Sequence, residues 1–484
     1  MMAIVFFGYN YLLYAEKKEW GNTSRLYTDV YDLKSLVGKM GIINFFIEDT
    51  FKYALRSNLI TDNDKIFLAS FADSKEPQQS SLPVQESKKY FGAEKGKNLI
   101  IIQIESLDNA VINQKIDGQE ITPNLNQLTK TGLYFNNYYA QVGPGNTADT
   151  EFCTLNSLYP LPDDVAFINY AKNKYSALPQ LLVDNGYKTY SLHGDVPTFW
   201  NRSNIYPQLG YQKAFDLNDY VITRPVGKGP SDLGDEDLFS QSLPKLENLE
   251  QPFMATVITM SSHTPFILPE DLQTLQIPSE SKLGWMQIAY LQSMHYTDKA
   301  IGEFIEGLKK DGLYDNSLIF IWGDHGSFTN ISEALNQDIL PELANSQVPM
   351  IILTPNTNLK GTINIPSSHL DIYPTIANLL GIVPPKTILG QDLLNTEGPK
   401  GYPVETHFKN ISGGIDAILT QNLLYQANED GLFENGSCKS LPDKKPLPIT
   451  DCQNLYNEQL NNLKASSIII KGNLLNSFFA NLKQ

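Results

Sequence analysis

Residues 317–326, SLIFIWGDHG, decide the fold of this 484-residue chain. The stretch begins with an almost uninterrupted apolar run, which is typical of a strand covered on both faces rather than one open to water on one face. The run then passes directly into Gly, Asp, His and Gly. A buried strand followed at once by reactive side chains indicates an α/β sheet whose strand ends form a site.

Four other runs have the same character, and helix-like stretches separate them. The runs are 98-NLIIIQIES-106, 187-YKTYSLHGD-195, 253-FMATVITMSSH-263 and 348-VPMIILTP-355. The predicted helices cover 122–132, 176–185, 281–310 and 371–380. Strands and helices in alternation predict an α/β fold with a doubly wound, mostly parallel sheet.

The rest of the chain divides into smaller predicted segments around this domain, which covers 97–395. Residues 22–96 read as a helical segment and a polar linker, and residues 396–484 as a small α+β appendage with a terminal helix from about Asp451. Residues 1–21 begin with about 14 apolar positions, fewer than the roughly 20 that a spanning helix needs. Both a helix packed on the body and the end of a membrane helix remain open for this segment.

Charge and cysteine content restrict the function classes. The chain has 37 basic and 53 acidic side chains, a net charge of −16, which argues against nucleic acid as a partner. Three cysteines are too few for a disulfide scaffold or a cysteine-based zinc finger. Any metal ion must therefore be held mainly by oxygen and imidazole ligands.

Polar residues at the ends of four predicted strands suggest a common site. They are Glu105, the pair His193 and Asp195, His263, and the pair Asp324 and His325. The carboxyl ends of parallel strands meet at one edge of a sheet, so these side chains are expected to converge. Each residue taken alone also fits an ordinary strand-end or helix-capping role.

The Gly-Asp-His-Gly turn suggests a divalent cation. Glycines on both sides free the backbone, so Asp324 and His325 can turn into one cleft, and carboxylate with imidazole is a common ligand pair. Glu105 follows three successive isoleucines and would be costly to leave unpaired near a core. A cation shared with Asp324 and His325 would remove that cost.

Thr147 is the candidate nucleophile. Residues 143–160, GPGNTADTEFCTLNSLYP, place it at or beside the cap of a predicted helix, where the helix dipole favours negative charge. A threonine hydroxyl is a weak nucleophile until a metal ion lowers its pKa. An ordinary capping threonine, followed by Asp149 and Glu151 as favourable first-turn acids, is the alternative.

These motifs together resemble those of the lipoteichoic acid synthases, phosphoglycerol transferases with a sulfatase-like, alkaline-phosphatase-type fold. The resemblance covers roughly residues 30–395 and keeps the order of the motifs. It rests on Glu105, 146-NTADTEF-152, 193-HGDVPTFWNRSNIYPQLGY-211, 262-SHTPF-266, the Gly-Asp-His turn and 366-PSSHLDIYPTIANLLGI-382.

The resemblance implies a role for each matching residue. The implied ligands of one divalent ion are Glu105, Thr147, Asp324 and His325, with Thr147 as the nucleophile. The ion is usually Mn²⁺ in that family, and Mg²⁺ or Zn²⁺ could replace it. The implied phosphoglycerol-binding residues are His193, Asp195, Trp200, Arg202 and His263, and Arg202 and His263 are also expected to assist the chemistry.

The resemblance also implies a reaction and a location. It suggests transfer of phosphoglycerol from a phosphatidylglycerol-type lipid to an envelope polymer, glycolipid or glycan through a phosphothreonine intermediate. The protein would act at a membrane surface, with its catalytic domain extracellular or periplasmic. The acceptor remains open among these three classes.

Departures from the family pattern keep alternatives open. Gln103 stands where the family is expected to have histidine, so glycerol-side contacts are expected to differ. A metal-dependent phosphodiesterase, a phosphatase and a phosphoethanolamine-type transferase of the same superfamily remain alternatives. A true sulfatase is disfavoured because Cys153 is followed by Thr-Leu-Asn-Ser rather than by x-Pro-x-Arg. A non-catalytic module would be expected to lack some of the four metal ligands, and all four are present.

The remaining histidines and cysteines receive structural predictions. His369 is expected to be a cap or a buried polar residue rather than part of a second metal site, and His295 and His407 to be structural or exposed. Because the resemblance places the domain outside the cell, Cys438 and Cys452 are predicted to form a disulfide.

Overall fold

The computed structural model describes residues 33–55, 60–75, 88–340, 343–395, 404–406, 415–428 and 430–474. The prediction for the apolar segment 1–21, most of the predicted linker and His407 lie outside these ranges. No helix within them is long and apolar enough to cross a membrane.

A nine-stranded sheet forms the centre of the described chain. Its strands are β1 (Asn98–Ile104), β4 (Leu133–Tyr139), β5 (Lys188–His193), β6 (Lys213–Phe215), β7 (Phe253–Ile258), β8 (Ser317–Gly323), β9 (Gln347–Leu353), β10 (Gly361–Ile363) and β11 (Ser367–Ser368), and a separate short hairpin joins β2 (Lys115–Ile116) to β3 (Gln119–Glu120). The order in the central sheet is β10-β4-β9-β8-β1-β7-β5-β6, with β11 also pairing to β4.

The five predicted strands are all present, and the mostly parallel α/β fold is confirmed. Strand β1 lies between β7 and β8 and is parallel to both, and every residue of β1 is buried. The run at 348–355 is a strand, but β9 is antiparallel to both β8 and β4. A fully apolar run predicts burial on both faces and carries no information about strand direction.

Helices cover both faces of the central sheet, as their connections to parallel strands require. In the catalytic region they are α4 (Pro123–Thr131), α5 (Thr147–Asn156), α6 (Ala166–Asn169), α7 (Leu178–Asp184), α8 (Arg202–Leu209), α9 (Asp235–Glu247), α10 (Trp285–Lys310), α11 (Ile331–Ala334) and α12 (Ile372–Leu380). Helices α4, α7, α10 and α12 confirm the four helix predictions.

Three helices precede the sheet: α1 (Leu33–Met40), α2 (Ile42–Leu55) and α3 (Asp62–Lys75). They confirm the helical prediction for the described part of 22–73. Helix α3 lies against the C-terminal helix, where the Lys464 ammonium is 4.3 Å from the centre of the Phe67 ring. The N-terminal helical segment is thus held by the appendage at the other end of the chain.

The C-terminal appendage consists of an antiparallel sheet and a helix, as predicted. The strands are β12 (Val404–Thr406), β13 (Ala417–Leu419), β14 (Leu423–Gln426), β15 (Ser437–Ser440) and β16 (Pro446–Leu447), followed by α13 (Gln453–Gly472). A short 3₁₀ turn, Ile449–Cys452, precedes α13. Cys438 and Cys452 form a disulfide, which confirms the predicted pairing.

Candidate active site

The candidate site lies at one edge of the central sheet, where β1, β5, β7 and β8 end. These four strands are neighbours and mutually parallel, so their carboxyl ends face the same side. Glu105 follows β1, His193 closes β5, and Asp324 follows β8. The structure therefore brings the strand-end residues to one edge, as the sequence predicts.

Glu105, Asp324 and His325 form a compact buried cluster. Their ligand atoms all lie within 4.8 Å of one another, and no other group of three such side chains does so in the described part of the chain. His325 Nε2 is 3.4 Å from Glu105 Oε1 and 3.6 Å from Asp324 Oδ2. A two-metal phosphatase would need a second cluster of this kind.

Backbone groups hold two members of this cluster in place. The backbone N–H groups of Ser106 and His325 both donate to Asp324 Oδ1, at 2.8 and 2.6 Å. His325 Nδ1–H donates to the Gly326 carbonyl at 2.9 Å, because a carbonyl oxygen can only accept. Nε2, on the other side of the ring, therefore faces the two carboxylates.

Burial makes it unfavourable for Glu105 and Asp324 to be ionised at the same time. Burial, followed by the charge of the Glu105 carboxylate, raises the pKa of Asp324 well above its ordinary value. The pKa of Glu105 falls to about 2 because the nearby His325 and His263 imidazoles and the Ser106 hydroxyl together outweigh its own burial. One of the two acids is thus held ionised, and its charge keeps a proton on the other.

The donor set fits a divalent cation. Asp324 Oδ2 is buried and has no hydrogen-bond partner. Two ligands at about 2.1 Å from an ion and at a tetrahedral angle lie roughly 3.4 Å apart, close to the separations from His325 Nε2 to the two carboxylates. Two carboxylates and one imidazole suit Mn²⁺, Mg²⁺ or Zn²⁺, and a cation here would complement both charges.

Thr147 is the first residue of α5 and lies beside the cluster. Its Oγ1 donates to Glu105 Oε2 at 3.1 Å, and the side chain is buried. The preceding cap residue, Asn146, has a left-handed φ of 42°. The helix N-terminus, the hydroxyl and the carboxylate cluster therefore meet at one point, where the helix dipole favours negative charge.

Two further residues of α5 fix the position of Thr147. Asp149 Oδ2 accepts hydrogen bonds from the backbone N–H groups of Gly143 and Gly145, at 2.9 and 2.8 Å. The Thr150 hydroxyl donates to the backbone carbonyl of Asp324 at 2.8 Å. The first bonds tie the helix to its own entry loop, and the second ties it to the metal-ligand turn.

Arg202 is buried and largely engaged inside the protein. Its Nε and Nη2 donate to Glu151 Oε1 at 3.1 and 2.6 Å, and Tyr206 donates its hydroxyl to Glu151 Oε2 at 2.6 Å. Arg202 Nη1 is buried and has no hydrogen-bond partner. Only this nitrogen is left for an anion.

His193 is a neutral histidine with a defined proton position. Its Nδ1 donates to the Ile258 carbonyl at 3.0 Å, which leaves Nε2 as an acceptor. Burial, followed by the positive charge of Arg202, lowers the pKa of His193 to about 3. Asp195 is half-buried, and burial raises the pKa of its carboxyl.

His263 and Trp200 differ in exposure. His263 is exposed and donates Nδ1–H to the Thr264 carbonyl at 2.7 Å. It lies on the loop that follows the end of β7, at the same edge of the sheet as Glu105 and His193. Trp200 is buried and packs edge-on against Phe199, at 5.8 Å between ring centres.

Several supporting residues were not predicted as part of the site. Glu151 and Asp149 read as favourable first-turn acids, although one is the partner of Arg202 and the other holds the Thr147 loop. Asp235 accepts the backbone N–H groups of Met260 and Ser261 and the hydroxyl of Thr297, and so positions the loop that carries His263. The short stretch 143–149, GPGNTAD, which contains two glycines and ends at Asp149, is the one sequence signal for this support.

The other singled-out residues lie away from the cleft. Gln103 is buried and lines a small cavity with Glu151 and Trp322, and the expectation of altered glycerol-side contacts at this position stays a prediction. Cys153 is a free, buried thiol. His369 accepts the backbone N–H of Gln141 at Nδ1 and donates Nε2–H to the Gly323 carbonyl, which confirms it as a buried polar residue. His295 donates to the Ile121 carbonyl, as a structural histidine would.

A mostly parallel sheet with a carboxylate–imidazole cluster beside a threonine that begins a helix defines a sulfatase-like, alkaline-phosphatase-type protein. Comparison with known families agrees with this class. The Sulfatase family model matches residues 97–382, more than half of the chain, and the chain belongs to this family.

The relatives refine this placement. The chain is 35% identical to lipoteichoic acid synthase 1 of Bacillus subtilis over 403 residues, which cover 80% of this chain and 60% of that relative. It is 31% identical to the lipoteichoic acid synthase-like protein YvgJ of the same organism over 469 residues, covering 93% of this chain and 71% of YvgJ. The chain thus spans about 60% of the length of the former and is homologous to lipoteichoic acid synthases, as the motifs indicate.

A solved structure gives the same result at the level of fold. The crystal structure of the lipoteichoic acid synthase LtaP from Listeria monocytogenes aligns with a TM-score of 0.75 and 29% identity. The alignment covers 83% of this chain and 98% of that structure. The resemblance stated from the sequence motifs is therefore confirmed.

Proposed function

We propose that this chain is a metal-dependent transferase that moves phosphoglycerol from a phosphatidylglycerol-type lipid to an envelope polymer, glycolipid or glycan through a covalent intermediate on Thr147. Homology to lipoteichoic acid synthases supports the reaction class. The single observation that carries the mechanism is the hydrogen bond from Thr147 Oγ1 to Glu105 at the helix N-terminus, inside the carboxylate–imidazole cluster.

Glu105, Asp324 and His325, with the Thr147 hydroxyl, would hold the ion. When bound, a divalent cation such as Mn²⁺ supplies positive charge that lowers the pKa of the threonine hydroxyl and offsets the charge of phosphoryl oxygens. The unpartnered Oδ2 of Asp324 and the directed Nε2 lone pair of His325 support this assignment.

Thr147 acts as the nucleophile in the first half of the reaction. The Thr147 hydroxyl loses its proton to water, and its Oγ1 forms a bond to the phosphorus of the donor. The bond from phosphorus to the diacylglycerol oxygen breaks, and His263 Nε2 gives that oxygen a proton. Glu105 accepts the hydrogen bond of the hydroxyl and so fixes its direction of attack. The product of this half is diacylglycerol and a phosphoglycerol ester of Thr147.

The second half transfers the group to the acceptor. An acceptor hydroxyl loses its proton to His263 and forms a bond to phosphorus, while the bond to Thr147 Oγ1 breaks and the threonine recovers its proton. Dividing the transfer into two in-line steps lets one pocket serve both a lipid and a separate acceptor.

Five groups would bind and orient the phosphoglycerol. Arg202 Nη1 is a buried donor without a partner, suited to one phosphoryl oxygen, and the N-terminus of α5 supplies a favourable dipole. The free Nε2 of His193 can accept a hydrogen bond from a glycerol hydroxyl, as can the Asp195 carboxylate. Trp200 would form part of the surrounding wall.

The donor also gives the location in this proposal. A phosphatidylglycerol-type lipid places the reaction at a cell membrane surface, with the catalytic domain on the extracellular or periplasmic side where envelope acceptors are found.

The test is to incubate the protein with phosphatidylglycerol labelled in its terminal glycerol, with Mn²⁺ and with each acceptor class in turn. We expect release of diacylglycerol and transfer of the label to the acceptor. With donor alone, mass spectrometry should find a phosphoglycerol adduct on the peptide that contains Thr147. Thr147→Ala should keep the fold and lose turnover by roughly three orders of magnitude or more.

Matched variants separate the hydroxyl from other effects. Thr147→Ser keeps a nucleophile and should retain part of the activity. Thr362→Ala, at an exposed threonine of the edge strand β10, should behave like the parent. Full activity of Thr147→Ala, with free glycerol phosphate as product, would instead indicate direct attack by water and a phosphodiesterase. Transfer only from phosphatidylethanolamine would indicate a phosphoethanolamine-type transferase.

A further inference from the structure

Three large apolar side chains are exposed on the loops that carry His263 and His325 and at the start of α10, which contacts both loops. The exposed fractions are 45% for Ile267, 68% for Trp285 and 46% for Phe328. Isolated exposed apolar residues are common on protein surfaces, but several large ones beside a cleft mark a surface that contacts another molecule. We call Ile267, Trp285 and Phe328 the apolar rim.

Short contacts connect the rim to the catalytic residues. Phe328 packs against the ring of His325, with 5.5 Å between the ring centres. Ile267 is four residues after His263, on the same loop. The rim therefore begins at a metal-ligand histidine and at the candidate proton donor.

The three rim residues are parts of one packed unit. Phe266, the neighbour of Ile267, is buried and packs edge-on against Tyr290 of α10 at 5.3 Å between ring centres. Gln287, in the first turn of the same helix as Trp285, donates its side-chain amide to the Thr329 carbonyl at 2.9 Å. These contacts hold the loop of Ile267, the start of α10 and the loop of Phe328 together.

Two phenylalanines in or next to the rim have backbone conformations that are unfavourable for a bulky side chain. Phe328 has a φ of 58° and Phe266 a φ of 64°, in the left-handed region that bulky side chains disfavour. Such conformations persist where the surrounding structure enforces them, often at ligand-binding sites. Here the strained backbone presents one aromatic ring to solvent beside His325.

We propose that the apolar rim is the surface on which the catalytic domain rests on a phospholipid bilayer, with the acyl chains of the lipid donor leaving the cleft across Ile267, Trp285 and Phe328. This inference rests on the proposed function, because it uses a donor whose phosphate lies at Thr147 and whose two acyl chains must remain in apolar surroundings. A tryptophan at the edge of such a surface suits the bilayer interface, where its ring is buried and its N–H is solvated.

The negative net charge of the chain means that contact with an anionic bilayer must depend on insertion of apolar groups rather than on electrostatic attraction. The chain carries a net charge of −16, so an anionic bilayer repels it as a whole. Contact through the rim should therefore be nearly independent of salt, or strengthen as salt screens the repulsion.

The experiment compares one reaction on two donors. The first donor is phosphatidylglycerol in vesicles made of equal parts phosphatidylcholine and phosphatidylglycerol, and the second is a water-soluble nitrophenyl ester of phosphoglycerol. The test variant, Ile267→Ala with Trp285→Ala, leaves Phe328 in place beside His325. We expect kcat/KM on vesicles to fall by about tenfold or more, and to fall much less on the soluble ester.

The control variant is Leu432→Ala with Leu460→Ala, two similarly exposed apolar residues of the C-terminal appendage. It should behave like the parent with both donors. Equal losses on both donors in the test variant, or no loss on vesicles, would overturn the proposal.

A second measurement does not depend on turnover. Vesicles that contain phosphatidylcholine with brominated acyl chains should quench Trp285, and subtracting the emission of Trp285→Phe isolates it from the other three tryptophans. Quenching without turnover of either donor would keep the rim and reject the proposed function. Turnover on vesicles without quenching would reject the rim, as would burial of Trp285 in a dimer detected by sedimentation.

Discussion

Arg202 donates hydrogen bonds from two of its nitrogens, Nε and Nη2, to a single carboxylate oxygen of Glu151, and both side chains are buried. The pair joins the beginning of α8 to the first turns of α5, the helix that begins with Thr147. The third nitrogen, Nη1, is left without a partner. The ion pair therefore both fixes the helix of the proposed nucleophile and leaves one directed donor for an anion.

Removing the charge of Glu151 should destabilise the protein strongly. Glu151→Gln leaves the Arg202 charge buried without an opposite charge, a change that costs about 3 to 5 kcal/mol in buried pairs. The free energy of unfolding from urea titration measures it. Glu303→Gln, in an exposed pair with Lys299, should cost under about 1 kcal/mol. Equal effects of the two variants would contradict the role given to Glu151.

The parts of the fold that the sequence predicts are those with strong apolar patterns. The run before Asp324 and the run before Glu105 are buried strands because nearly every side chain in them is apolar. Strand β4, LYFNNYY, was not predicted because two asparagines interrupt its apolar pattern. The direction of β9 was also not predictable, since direction depends on the connection rather than on the residues.

The candidate site is predictable where function and strand ends coincide, and less so where support comes from helices. The convergence of Glu105 and Asp324 follows from parallel strands that end at one edge. The partners of Glu151 and Asp149 do not follow from the sequence, because acids in a first helical turn are favourable without any partner. Only the packed structure shows which acids bind neighbouring loops.

Manganese binding should require both carboxylates and should release protons. Glu105→Ala and Asp324→Ala should each lose Mn²⁺ binding, measured by calorimetry, whereas Asp338→Ala, at an exposed acid, should not. The pKa of Asp324 is raised well above its ordinary value, so its proton must leave when the ion binds. Affinity should therefore fall at acid pH and rise as the pH rises. Unchanged affinity in both carboxylate variants would show that the site is assigned wrongly.

The Cys438–Cys452 disulfide should be detectable by alkylation and should stabilise the appendage. Unfolded protein should take up one alkyl group without reductant, on Cys153, and three after reduction. Closing a loop of 14 residues contributes about 3 kcal/mol, so the Cys438→Ala, Cys452→Ala double variant should unfold more readily by that amount. Three modified thiols in the absence of reductant would rule the disulfide out.

Asp392 should make the protein less stable as the pH rises from about 4 to about 6. Burial raises the pKa of its carboxyl from 3.8 to about 6, although Leu394 N–H and Asn395 donate hydrogen bonds to it. The folded state thus holds the proton more tightly than the unfolded chain, and this contribution is lost as the pH rises through about 6. Relative to Asp392→Asn, the parent should lose roughly 3 kcal/mol over that interval, measured by urea unfolding.

The matched control for Asp392 is Asp443, whose effect on stability should change with pH in the opposite direction. Asp443 is exposed, and hydrogen bonds from Ser440 and Lys445 lower the pKa of its carboxyl. Relative to Asp443→Asn, the parent should therefore lose stability as the pH falls rather than as it rises. A rise in parent stability relative to Asp392→Asn between about pH 4 and about pH 6 would show that the Asp392 carboxyl is not desolvated in the folded protein.

His369 should position the catalytic groups although it contacts neither substrate nor metal. Its Nδ1 accepts the backbone N–H of Gln141, on the loop that leads to Thr147, and its Nε2–H donates to Gly323, immediately before Asp324. His369→Leu leaves both backbone groups buried without partners, at about 1 to 3 kcal/mol each. The two sides of the site would then move independently.

The expected readout for His369→Leu is weaker Mn²⁺ binding by about tenfold and a lower kcat with little change in KM, because loosened ligands and nucleophile affect the reaction more than donor binding. The control is His295→Leu, on α10 and outside the cluster, which removes a hydrogen bond to the Ile121 carbonyl. It should reduce stability and leave Mn²⁺ affinity unchanged. If His369→Leu also lost stability but kept the parent's Mn²⁺ affinity and kcat, His369 would serve the fold alone and not the geometry of the site.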